Sequence, residues 1–147
     1  MDIEAICDAL AARYTPGTIG TPTGVPAMRA AYGQMPHSMP NTPAVVVMPQ
    51  DGDVVAESGS WVLTNNIDVN FYLSKAPGDI ERVETYRQKW LQTLLEAVLG
   101  SLTLGSIVKS AFPIGWEFTE LPYGGDQYDA IVIHYQVIVR EAVTFTP

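Results

Sequence analysis

Few residues in this chain have the type and spacing that chemistry requires. The two histidines, His37 and His134, are separated by most of the chain. His37 lies in "MPHSMP" without a carboxylate close by in sequence, and His134 shares a strand face with Val132, Gln136 and Ile138. Isolated histidines without a matching acid, base or nucleophile make no catalytic constellation. Asp51 and Asp53, in "QDGDVVAE", have the spacing of the first two ligands of a calcium loop, but the glycine and terminal glutamate that complete such a loop are missing. Asp-Gly is itself a turn signal, so this stretch reads as the charged tip of a turn with solvated acids. "YGGD", Tyr123 to Asp126, lacks the Gly-Lys-Ser/Thr ending and the strand-to-helix context of a phosphate loop and reads as a hairpin turn. No serine sits in a nucleophile-elbow pattern. Cys7 is the only cysteine, which excludes an intrachain disulfide and a thiolate-rich zinc site; among apolar helical neighbours it reads as a buried structural thiol. The expectation is a protein without catalysis, metal or cofactor.

Composition points the same way. A chain of 147 residues, 47% hydrophobic and 16% charged, is the size of one domain, 1–147, and carries fewer charges than an ordinary soluble surface. With 16 acidic and 8 scattered basic residues, a net charge of −8, it lacks the clustered Lys and Arg of a nucleic-acid reader. "MDIEAICDAL" has acids where a signal peptide would carry bases, and no apolar run approaches membrane-spanning length, so the expectation is a soluble protein with no membrane contact.

The elements that must position any site follow from periodicity. Ile3, Ile6, Leu10 and Tyr14 fall at helical spacing, ended by Thr15-Pro16-Gly17. Residues 15–43 are crowded with Pro and Gly yet carry Val25, Met28, Tyr32, Met35 and Met39, which predicts an ordered arm with a short strand around Ala27 to Tyr32. "PAVVVMP" is a short strand, and Val54 to Gly59 leads on from the tip at Asp51 to Asp53. A helix from Asp79 to Leu99 has Asp79 as N-cap, Gly100 as a terminal cap, and Ile80, Val83, Trp90, Leu91, Leu94, Leu95 and Val98 as its apolar stripe. Short strands at Ile107 to Ser110 and Trp116 to Glu120, then the turn-rich "LPYGGDQYD", precede a last strand that is apolar on both faces around Ile131 to Val139, as in a strand covered on two sides. The fold class is α+β, a mainly antiparallel sheet with a long hairpin, an N-terminal helix and one long central helix.

"WVLTNNIDVNFYLSK", Trp61 to Lys75, alternates with period two. Ile67, Val69 and Phe71 should pack beneath the central helix, leaving Thr64, Asn66, Asp68 and Asn70 on a polar, nearly uncharged face. At ~3.3 Å per residue the strand is about as long as such a domain is wide, so the hairpin must bend or project. The polar face then meets a neighbouring subunit or a lumen, or, as a less favoured alternative, lines a ligand pocket.

The order of "IEAICDALAARY", "MPNTPAVVVMP", "NIDVNFYLSK", "RVETYRQKWLQTLLEAVLG" and "YDAIVIHYQVIVRE" resembles the tail terminator proteins of long-tailed bacteriophages, in layout and texture over most of the chain. The resemblance implies a virion protein of the tail–neck region, soluble in the host cytoplasm before assembly. Such a protein would form a hexameric ring on the head-proximal end of the tail tube, end polymerisation of the major tail tube protein and meet a head completion or connector protein. The resemblance further implies that DNA passes through without specific binding. A neck adaptor is the alternative within the same class. Candidate subunit or lumen contacts are Thr64, Asn66, Asp68, Asn70, Asp51, Asp53, Met35 and Met39.

Overall fold

A computed structural model describes residues 1–38 and 41–143. Its elements run α1 (Ile3–Ala12), β1 (Ala30–Tyr32), β2 (Ala44–Glu57), β3 (Ser60–Lys75), α2 (Ile80–Glu96), β4 (Ser110–Tyr123) and β5 (Asp126–Ala142). One five-stranded sheet has the order β1-β2-β3-β5-β4, with β1 parallel to β2 and every other pairing antiparallel. The α+β class, the mainly antiparallel sheet and the two helices are as expected from the sequence.

Both helices begin where an aspartate caps them. Asp2 Oδ1 accepts from the Ala5 amide and Asp79 Oδ1 from the Arg82 amide, each at 3.0 Å, which satisfies amides that have no partner inside the helix. Both helices lie on one face of the sheet. There Ile67, Val69 and Phe71 of β3 and Ile131, Ile133, Tyr135 and Val137 of β5 meet Ile6, Leu10, Trp90 and Leu94 in one cluster. The Phe71 and Trp90 rings are 5.2 Å apart, so β3 meets α2 at Phe71, while Ile67 and Val69 face the core shared by both helices. Tyr14, just past α1, donates to the Leu94 carbonyl at 3.2 Å and lies 2.5 Å from the Tyr135 hydroxyl, tying α1, α2 and β5 together at the core. Cys7 is buried, and burial followed by the charge of Asp8 pushes its thiol up to about 11.

Several local expectations are corrected. Asp51 and Asp53 do not form a turn: β2 continues through them to Glu57, pairing Asp51 with Asn66 and Asp53 with Thr64, and a bulge between Pro49 and Asp51 absorbs the irregularity. The hairpin turns instead at Ser58 and Gly59, where Gly59 adopts φ +74. Bulges and turns favour the same residues, so Asp-Gly in sequence suits either. Helix α2 ends at Glu96 with Ala97 as its cap, short of Gly100, and Ile80 is 82% exposed, outside the stripe that it extends in sequence. Ile107 precedes β4, which runs from Ser110 through "LPY" as a single bulged strand. The arm is ordered where described, with Ile19 and Met28 buried, although its strand covers only Ala30–Tyr32.

The last strand is covered by helices on one side only. On its other face Val132, His134, Gln136 and Ile138 continue the row of Asn70, Asp68, Asn66 and Thr64 across the β3–β5 pairing. One end of this second face is closed by a smaller cluster in which Ala44, Val46 and Tyr72 are buried beneath Tyr32, Met48, Tyr123 and Tyr128. The arm reaches this end, where the Tyr123 hydroxyl donates to the Pro36 carbonyl at 2.7 Å.

Candidate functional site

The helix-free face carries the residues singled out from the alternating strand. Thr64, Asn66, Asp68 and Asn70 all project from it and are half-buried by their neighbours across the sheet. Pairing with β2 adds Asp51 and Asp53, so six of the eight candidate residues belong to one surface. Asn66 donates to Asp51 Oδ1 at 2.7 Å. Met35 is 42% exposed on the arm, apart from this row; Met39 lies outside the described residues.

A second tie was not foreseen. His134 Nδ1 lies 2.7 Å from Asp68 Oδ1, and His134 Nε2 lies 3.7 Å from Glu117 Oε1. The three side chains therefore bridge β3, β5 and β4 in a line across the face. Gly115 stands opposite His134, and a Cβ there would lie 3.7 Å from the imidazole. Asp68 and His134 come from strands that are not consecutive in sequence, and only their register shows them to be partners. The group links side chains of three strands across one face of the sheet.

Beyond the polar row the sheet projects. From Pro49 onward β2 has no strand on its outer side among the described residues, and its residues from Gln50 to Glu57 are exposed. The projection is three strands wide, since β5 follows β3 to the pair Ser60–Ala142. It ends in apolar side chains: Val54 is 61% exposed, Val55 55% and Trp61 40%. Register puts Val54 and Trp61 on the helix side, beyond the start of α1, and Val55 with Val62 on the other. On the opposite edge of the sheet, Phe112, Ile114 and Trp116 of β4 are also substantially exposed.

Acids outnumber bases on the helix-free face: Asp68 and Glu117 flank His134, Asp51 and Asp53 lie beside Asn66 and Thr64, and Arg140 pairs with Glu57 at 3.4 Å near the tip. No helix among the described residues is long and apolar enough to cross a membrane. No family model matches the sequence, and no curated protein is similar to it.

Proposed function

We propose that this chain is a ring-forming structural subunit of a phage virion, a tail terminator that caps the head-proximal end of the tail tube. The observation that carries the reading is the projecting three-stranded end of the sheet with Val54, Val55 and Trp61 bare at its tip. A lone folded chain gains nothing from holding these side chains in water, whereas a partner that covers them removes apolar area at roughly 25 cal/mol per Å².

Closed rings need two different surfaces on each copy. The projecting tip and the β4 edge with Phe112, Ile114 and Trp116 lie at separate places on the sheet and differ in shape. The polar face then borders the lumen or a neighbouring copy. Its carboxylates Asp51, Asp53, Asp68 and Glu117 have little basic charge to oppose them, which suits a wall past which DNA must slide, because phosphates are held by clustered Lys and Arg. The hexameric count, the contact with the major tail tube protein and the contact with a head completion protein belong to the same proposal. An adaptor in the neck is the weaker alternative, because such adaptors are expected to be rich in helix and α1 and α2 flank a much larger sheet.

Quantitative mass spectrometry of purified tails tests the reading. The expected result is about six copies per tail, the number implied by the hexameric ring. A chain absent from tails contradicts it.

A further inference from the structure

Between the first turns of α2 and the β4–β5 hairpin lies a cavity of about 310 Å³. Asp129 lines it together with Glu84 and Glu120, and Pro77, Gly78 and Ile80 form a less polar wall. Glu120 stands directly opposite Asp129 on the neighbouring strand, a position in which like charges repel. Asp129 is 6% exposed, and its Oδ2 finds no hydrogen-bond donor among the described residues. A buried carboxylate oxygen normally has one.

The one base lining the cavity, Arg87, forms a long ion pair with Asp129, and its Nε, like Asp129 Oδ2, has no hydrogen-bond partner among the described residues. Arg87 Nη2 donates to the Thr119 carbonyl at 2.5 Å, and its guanidinium carbon lies 5.6 Å from the centre of the Phe118 ring. Its approach to Asp129 Oδ1 is 3.9 Å, too long for a hydrogen bond. Three carboxylates against one guanidinium leave negative charge in excess. The cluster is not arranged for a metal ion, since no three ligating side chains converge among the described residues. Space beside Asp129 depends on Gly78: a Cβ there would lie 3.1 Å from Asp129 Oδ2 and 2.8 Å from a Val83 methyl.

We propose that this cavity binds an alkylammonium group, a primary ammonium on an aliphatic stem. The ammonium is a compact charge that can donate to the unpartnered Asp129 Oδ2 while Glu84 and Glu120 in the cavity lining add negative potential around it, whereas a planar guanidinium needs the paired edge of one carboxylate. The stem lies along Pro77 and Ile80, which explains why so apolar a side chain stays in water at the mouth of an acidic cavity. The site lies on the helix side of the sheet, away from the polar row, and its binding does not depend on ring formation.

Titration of the full chain with cadaverine and, separately, with Nα-acetyl-lysine amide, followed by amide NMR, tests the proposal. Both carry the ammonium and stem; equal responses assign the site to a lysine side chain of a partner, and a response to cadaverine alone assigns it to a free diamine. The expected shifts centre on Gly78, Glu84, Glu120 and Asp129, are absent with 1-pentanol, and weaken as salt rises. Removing the rim charges in the double variant E84Q/E120Q, which leaves the buried Asp129 in place, should weaken binding roughly tenfold. Gly78→Ala should abolish it by filling the space. Absence of shifts with both amines at millimolar concentration, or unchanged affinity in E84Q/E120Q, overturns the proposal.

Discussion

Tyr14, Tyr135 and Cys7 show how burial sets chemistry at single residues. Burial, then the neighbouring phenol, raises Tyr14 well above 10.0, and burial pushes Tyr135 up to about 12 and Cys7 up to about 11. A group whose acidity is weakened by folding stays protonated in the native chain while the unfolded chain ionises. Its contribution is complete below the unfolded values, near pH 9 for the thiol and pH 10 for the phenols, and is lost as pH rises through the folded ones. Urea melts should therefore show stability falling from about pH 9 upward, with a shallower fall in Tyr135→Phe; a flat profile contradicts this. Tyr14→Phe should cost about 1–3 kcal/mol in the same measurement, because it strands the Tyr135 hydroxyl in the core. By contrast, His134→Gln should cost no more than about 1 kcal/mol, since the pair with Asp68 is partly in water.

At the scale of elements, β3 was legible because a period of two needs no partner to be read: Ile67, Val69 and Phe71 face the helices as their positions require. The register between β3 and β5 was not legible, since the two strands are separated by α2 and β4, and with it went the meeting of His134 with Asp68 and Glu117. Gly52 shows a different limit. It reads as a turn residue, but a Cβ there would lie 2.7 Å from the Thr64 carbonyl, so the glycine admits close strand approach beside the bulge. Ile80 keeps helical phase with Val83 but sits in the first turn, above a cavity instead of a packed strand. The join between α2 and the sheet is where stability should respond most: Trp90→Ala should cost about 3–5 kcal/mol by thermal or chemical melting, because Trp90 is fully buried against Phe71. Replacing Val54, Val55 and Trp61 together by Thr should cost no more than about 2 kcal/mol of melting free energy, as the valines are mostly in water and Trp61 is 40% exposed. The same triple variant should fail to incorporate into tails; normal incorporation would show that the tip is not an assembly surface.

Over the whole molecule, helices on one side and a bare sheet on the other give the chain two unlike faces, and the projecting end gives it reach. On the proposed reading, the packed body carries the exposed apolar edges and the helix-free polar face that neighbouring subunits would cover. For the proposed ring, a net charge of −8 would disfavour retention of DNA in the channel. The central claim is that the chain stops tail-tube growth and joins the finished tube to the head. Electron microscopy of particles made with this gene deleted tests that claim most directly. The account predicts tails of irregular, excessive length with heads left unattached, both restored by supplying the wild-type chain. Tails of normal length joined to heads in the deletion would contradict it.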